Sequence, residues 1–391
     1  MRNLSILALT VLFMFSISLS SVMAYSNDPG PEKLNNGFHH ELKAVAKNTW
    51  RFFKDNTDPV THLPLDEIRL GPDKSRAERT SPTNIAMYLM SVVSAEELGF
   101  IDHEQAVNRV RDTLNTIEDM KKWHGFLYNW YNTEDASLKK DWGQFISTVD
   151  NGWYASGLIV VRQAYPEIEK SASRLLESMD FSLLYNAKVG QMFGGYDVAK
   201  GQDSGYTFGM FNTEPRVASY IAIGKGDVPP EHWWKMFRTF PPEWAQQQRP
   251  EGITRTYHGV EVYEGHYTYK GIKYVPSWGG SMFETLMPTL VLKEQKLAKN
   301  GLGLNDARQV KVQMAYAKEK GYAAWGISPA ATPTGYAAFG VPMAGTFKQG
   351  YKENGTIAPY ASLLALEFAR RDVRDNLKEL KSLGAYGKYG F

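Results

Sequence analysis

Cysteine is missing altogether from the 391 residues, and neither sign of charge dominates, with 44 Lys+Arg against 42 Asp+Glu. Without cysteine there are no disulfide staples, no thiol nucleophile and no Cys-ligated zinc or iron–sulfur centre. A formal net charge of +2 lacks the concentrated positive charge that nucleic acid or an anionic membrane would require. Several motifs are missing too. There is no Gly-x-x-x-x-Gly-Lys-Ser/Thr phosphate loop, no Gly-x-Gly-x-x-Gly fingerprint and no Gly-x-Ser-x-Gly nucleophile elbow. The eight histidines form no His-Glu-x-x-His, and His39-His40 reads as a solvated pair near the N-terminus. Asp197, Asp203 and Asp227 are scattered among glycines without calcium-loop spacing. No cofactor and no essential metal are expected, and nucleic acid is not expected as a partner. What the chain has in excess is aromatic surface: 22 Tyr, 19 Phe and 10 Trp, 13% of all residues. Such side chains supply core area and also suit the flat apolar faces of sugar rings.

The N-terminus reads as a targeting segment. Met1-Arg2-Asn3 gives a positive start, an apolar run follows from Leu4 to Leu19, and Val22 and Ala24 are small residues where a signal peptidase reads. Residues 1–24 are therefore expected to be a signal peptide cleaved after Ala24. The alternative is a membrane anchor, but the run is short for a hydrocarbon layer of roughly 30 Å. The expectation is one mature domain over 25–391, secreted or periplasmic, monomeric, and free of the membrane after cleavage.

Helical grammar recurs along the mature chain. Ser81-Pro82 sets a polar cap with proline in the first turn, Ile85, Tyr88, Leu89, Val92 and Val93 follow at helical spacing, and Gly99 ends the run. Asp102 and Gln105 form an Asp-x-x-Gln cap for the next helix, whose inner face is Ala106, Val110, Leu114 and Ile117. Further helices are expected at 146–164, 167–180, 213–224, 231–238, 280–299, 305–320 and 358–380. Long aromatic and glycine-rich segments lie between them at 185–212, 239–279 and 322–356. Thr254–Tyr257, Val260–Tyr263 and Tyr267–Tyr269 alternate weakly, as short strands do. Long loops inside a compact domain point to function. The fold class that fits is all-α, a toroid of helical hairpins with its loops gathered at one mouth. A superhelical solenoid is the alternative, although no fixed-period repeat is present.

Four segments combine aromatics and glycines at the start of a helix, three of them with a carboxylate. In Phe211-Asn212-Thr213-Glu214-Pro215-Arg216, Glu214 opens a helix, where it could also simply meet the helix dipole. In Ser277-Trp278-Gly279-Gly280-Ser281-Met282-Phe283-Glu284, the glutamate could equally complete a capping box with Ser281. In Ser147-Thr148-Val149-Asp150-Asn151-Gly152-Trp153, Asp150 could cap its own helix or serve an acid/base set. Ala324-Trp325-Gly326-Ile327-Ser328-Pro329 carries no carboxylate and reads as an aromatic wall or a structural turn. Two helix-opening glutamates beside tryptophans are what two-carboxylate glycoside hydrolysis uses. His258 and His266 lie in the aromatic loop and could meet a sugar hydroxyl or only solvent.

Taken together these segments resemble the glycoamylase-like family, which includes bacterial β-1,2-glucanases and the transglycosylase region of cyclic β-1,2-glucan synthases. The resemblance rests on Thr80-Ser81-Pro82-Thr83-Asn84-Ile85, Leu127-Tyr128-Asn129-Trp130-Tyr131-Asn132-Thr133 and Ser147–Asp150. It continues through Thr213-Glu214-Pro215-Arg216, His232-Trp233-Trp234, Gly280–Pro288, Trp325–Ser328, Gly335-Tyr336 and Ala358–Leu363. It implies an (α/α)6 barrel with a carbohydrate cleft at its mouth and action on a β-glucan, β-1,2-glucan foremost. Glu214, Glu284 and Asp150 fall on the family's carboxylates. Trp153, Trp278 and Trp325 would be stacking subsites, Arg216 would orient Glu214, and Asn129, Tyr131, Tyr263 and His266 would contact sugar. Three departures stand out: Pro329-Ala330 where the family has Glu-Ser, Thr213 and Pro215 flanking Glu214, and Asn132 in place of Asp. The expected activity is hydrolysis of an oligo- or polysaccharide. The rivals are transglycosylation, a glycan-binding protein that has lost catalysis, and a polysaccharide lyase.

Overall fold

A computed structural model describes residues 32–71 and 74–391. The expected signal peptide, residues 1–24, lies outside them. Twelve α-helices are defined among the described residues: α1 (Glu32–Asp55), α2 (Pro82–Glu97), α3 (His103–Asp119), α4 (Thr148–Ala164), α5 (Glu169–Glu177), α6 (Arg216–Lys225), α7 (His232–Lys235), α8 (Met282–Leu286), α9 (Glu294–Leu297), α10 (Leu302–Lys320), α11 (Pro359–Leu364) and α12 (Arg370–Ser382).

Local chemistry explains where the best-defined ones begin. The Ser81 hydroxyl accepts from the Asn84 N–H at 3.2 Å with Pro82 in the first turn of α2. Asp102 accepts from the Gln105 N–H at 2.8 Å at the start of α3. Two expected helices are broken. The stretch 280–299 is α8, a 3-10 turn over Met287–Leu290, and α9, because Pro288 has no N–H to continue the ladder. The stretch 358–380 likewise divides into α11, a 3-10 turn over Ala365–Glu367, and α12. The helix expected from 213 starts at Arg216, behind Pro215. α1, which was not anticipated, holds His39 half-buried and His40 exposed.

α4 is the centre of the N-terminal half and packs on α2, α5 and α6. Glycine permits the two closest of these approaches. A Cβ at Gly157 would lie 2.9 Å from the Ala86 Cα of α2, and one at Gly152 would lie 2.7 Å from the Ala218 Cβ of α6. One large core gathers α2 to α5 around Ile85, Leu89, Val110, Leu114 and Leu158. A second gathers α8 and α10 to α12 around Leu286, Val310, Val373 and Leu377. α1 joins both, contributing Trp50 to the first and Phe38 to the second. Between them a smaller apolar cluster of Ala86, Trp153, Val217 and Met287 stitches α2, α4, α6 and the turn after α8 together.

The strands are short and antiparallel. Thr254–Tyr257 and Val260–Tyr263 form the expected hairpin, and Tyr267–Tyr269 pairs with Ile272–Tyr274. Phe145–Ser147 pairs with Gly195–Asp197, which steadies the turn that leads into α4. Ala330–Thr332 and Gly335–Ala337 make a further hairpin with Tyr336 near its tip.

Candidate active site

Three carboxylates from three separate helix starts meet at the seam between the cores. Glu214 precedes α6 by two residues. It is surrounded by protein yet keeps some accessible surface, as a group on the floor of a cleft does. The Trp153 indole N–H donates to Glu214 Oε1 at 2.6 Å. Burial, then repulsion from Asp150 and from Glu284, pushes Glu214 up to about 8, with the Trp153 hydrogen bond and the Arg216 charge pulling the other way. At neutral pH this carboxyl holds its proton.

Asp150 sits in the first turn of α4, whose N-cap is Ser147. It accepts from the Thr83 hydroxyl at 2.5 Å. The Asn129 amide nitrogen lies 3.1 Å from Asp150 Oδ2 when its oxygen faces the Trp130 indole N–H at 3.3 Å. Burial pushes Asp150 upward, opposed by the Ser147 and Thr83 bonds, while Asp66 adds repulsion. Asp150, like Glu214, is only partly accessible.

Glu284 is the most tightly held. It completes the capping box of α8 with Ser281. Its Oε2 accepts from the Ser277 hydroxyl at 2.9 Å, the Ser281 hydroxyl at 3.0 Å, and the N–H groups of Ser281 and Gly279 at 3.1 Å. Gly280, at φ +79°, turns the chain back so that these N–H groups converge, and a Cβ there would meet the Val341 carbonyl oxygen at 2.0 Å. Burial raises the Glu284 pKa, and the surrounding donors pull it back. The capping-box reading of this glutamate therefore holds, and the same carboxylate also acts on the charge of Glu214.

Arg216 acts on the charge of Glu214 from within the protein and not from the cleft. It is fully buried, and every one of its donors is committed. Nε and Nη2 form a bidentate pair with Glu294 at 2.9 and 2.7 Å. Nη1 donates to the Thr213 and Glu284 carbonyls at 3.1 and 3.2 Å, and Nη2 to the Thr285 carbonyl at 2.6 Å. It cannot reach a substrate. Instead it ties the backbone beside Glu214 to the backbone of Glu284 itself. Asp306 lies 3.8 Å from Nη2. Burial and the neighbouring Glu294 push Asp306 well up against the pull of Arg216, so one proton stays in the Glu294/Asp306 pair and the cluster is close to neutral.

Two other candidates are corrected. Trp153 has no exposed surface. Its ring fills the seam cluster, so its contribution is the N–H on Glu214 and not a stacking face. Tyr131 is also fully buried; its hydroxyl accepts from the Tyr128 N–H at 2.8 Å and donates to the Lys121 carbonyl at 2.6 Å. Trp325 packs partly exposed on the second core, its backbone held by Asn376. His266 stands apart on the hairpin region, 3.7 Å from Glu251. Trp278 and Tyr263 together line an aromatic cavity of about 680 Å³ that does not include the three carboxylates. Asn129 is brought to the site as expected.

Two neighbours went unrecognised in the sequence as site residues. The Tyr351 hydroxyl hydrogen-bonds Glu284, and burial and the Glu284 charge push its pKa well up. Tyr336 is 72% exposed. Burial and then the charges of Glu214, Glu284 and Asp150 push its phenol up to about 12. The charges of all three carboxylates thus act on the Tyr336 phenol. Tyr336 lies in Gly335-Tyr336, a pair quoted for the family resemblance, and that motif was the available signal.

The glycoamylase family model matches residues 209–391, and a model for a protein family of unknown function, DUF3131, matches residues 44–220. The two overlap at the start of α6, so Glu214 lies in both, while Asp150 and Glu284 come from opposite halves. The chain is 26% identical to the cyclic β-(1,2)-glucan synthase NdvB of Rhizobium meliloti (strain 1021) in an alignment that covers 90% of this chain. It spans only 16% of that synthase's length. Among solved structures, the β-1,2-glucanase of Parabacteroides distasonis superposes with a TM-score of 0.68 at 18% identity, covering 90% of this chain and 52% of the other. The endo-β-1,2-glucanase of Chitinophaga pinensis, solved with sophorotriose and glucose, gives 0.63 at 17%, covering 89% and 84%. Residues 209–391 thus match the glycoamylase family, and the chain as a whole shares its fold with solved β-1,2-glucanases.

Proposed function

We propose that this protein is an exported glycoside hydrolase that cleaves a β-glucan, with β-1,2-glucan the favoured substrate, in an (α/α)6 barrel formed by residues 25–391. The observation that carries the reading is the meeting of Asp150, Glu214 and Glu284 at three helix starts, with Glu214 protonated at neutral pH. Glu214 then has what a general acid needs. It donates its proton to the glycosidic oxygen as the bond to the anomeric carbon breaks. Asp150 is the stronger of the two carboxylate charges acting on Glu214, and its side chain is held by Thr83, Ser147 and Asn129 rather than by a full set of capping donors, so it is the freer to take a proton from the attacking water. Glu284, held in place by its capping donors, is the carboxyl positioned to favour the oxocarbenium-like transition state when ionised.

Likeness to a cyclic glucan synthase over 90% of the chain favours a second reading, in which a sugar hydroxyl replaces water as the acceptor. Incubation with purified β-1,2-glucan separates the outcomes. Hydrolysis yields new reducing ends, whereas transglycosylation redistributes chain lengths without them and responds to added acceptor. Glu214→Gln and Asp150→Asn are each expected to lower the rate at least about 100-fold. Full activity in both variants would refute the assignment.

A further inference from the structure

The aromatic cavity beside the carboxylates is not used by the chemistry above. Its walls include Tyr206, Trp234, Phe240, Trp244, Tyr263 and Trp278. Three of these rings are unusually open for their size: Tyr206 is 54% exposed, Trp244 40% and Trp278 39%. They are nonetheless held. The Trp244 and Trp278 rings lie 5.0 and 6.2 Å from Phe240, and Trp278 also meets Phe347 edge-on at 4.3 Å. Solvent-facing indoles that both pack against one phenylalanine form flat platforms at little entropic cost.

The cavity is built on the same segments as the candidate active site. Trp278 lines it, and the next residue, Gly279, donates its N–H to Glu284 at 3.1 Å. Met210 lines it as well, and its carbonyl receives the hydroxyl of Thr213, the residue before Glu214, at 2.9 Å. The same two segments therefore build the cavity wall and carry the two glutamates. Because the carboxylates themselves are not in the lining, the sugar ring that reacts lies outside this space. At about 680 Å³ it has the size of an ordinary small-ligand site.

We infer that this cavity binds glucosyl residues of the same glucan chain, remote from the bond being cleaved, and so makes the protein discriminate polymer from short oligosaccharide. The inference rests on the proposed β-glucan substrate, and its test keeps the two apart. Trp244 is the residue to change, since it is on the surface and outside the acid/base set. For Trp244→Ala, the ratio of kcat/KM on long β-1,2-glucan to that on sophorotriose is expected to fall about tenfold, mainly through KM, with Trp244→Phe restoring most of it. In a Glu214→Gln background, calorimetric affinity for the polymer should fall by a similar factor when Trp244→Ala is added. A parallel fall on both substrates, or no fall in either measurement, overturns the inference. If wild-type protein cleaves no glucan yet Trp244→Ala still weakens polymer binding, the proposed hydrolysis fails and the binding site stands. If β-1,2-glucan neither binds nor is cleaved, both fail.

Discussion

Replacing Glu214 by Gln removes the proposed acid and should, at neutral pH, make the protein more stable. The unfolded chain ionises this group near 4.5, whereas the folded site holds it at about 8. A carboxyl whose folded pKa is raised binds protons more tightly in the native state, so its cost is absent below the unfolded pKa. That cost grows as pH rises from 4.5 toward 8, because folding must then reprotonate it. At pH 7 the gap from 4.5 corresponds to roughly 3 kcal/mol, trimmed toward about 2 by solvent reaching the floor of the cleft. Gln keeps the shape and an acceptor for the Trp153 indole N–H but never ionises. Denaturant unfolding of both proteins at pH 4.5 and pH 7 measures the effect. The variant should be about 2–3 kcal/mol more stable at pH 7 and nearly equal at pH 4.5. No gain at pH 7, or an equal gain at both values, would show that Glu214 does not sit protonated in this site.

Three further outcomes follow from the same contacts. Trp153→Phe deletes the 2.6 Å donor that favours ionised Glu214, so the alkaline limb of the pH–rate profile should move to higher pH, by about half a unit to one unit. Arg216→Met leaves Glu294 buried without its bidentate partner and should cost about 3–5 kcal/mol in chemical unfolding, much of it recovered by adding Glu294→Leu. Gly157→Val drives a side chain into the Ala86 backbone, where even a Cβ stands at 2.9 Å. It should cost about 1–3 kcal/mol and lower the melting temperature.

Much of this architecture was legible in the sequence because its signals are local. Ser81-Pro82 and Asp102 announce α2 and α3 by chemistry spanning three residues, and the Ser281/Glu284 capping box is equally short-range. α1 could have been found, since Phe38, Leu42, Val45, Trp50 and Phe53 keep near-helical spacing. The breaks after α8 and α11 depend on how each segment turns into the core, and of these only Pro288 marks itself. The carboxylates were visible as helix-opening residues, but the fates of their neighbours were not. Trp153 follows Asp150 by three positions on one helix, yet its ring is captured by Ala86, Val217 and Met287 from other elements. Arg216 sits two residues from Glu214, yet its partner Glu294 is 78 positions away. No local pattern distinguishes an arginine that touches sugar from one that locks two backbones together.

The claim on which the rest depends is that Glu214 delivers a proton to a glucan's glycosidic oxygen. The pH dependence of kcat/KM for β-1,2-glucan tests it most directly. The account predicts cleavage at neutral pH that falls tenfold per unit above about pH 8, and no such limb in the residual activity of Glu214→Gln. A rate that stays level through pH 10, or a limb that persists unchanged in the variant, would contradict it.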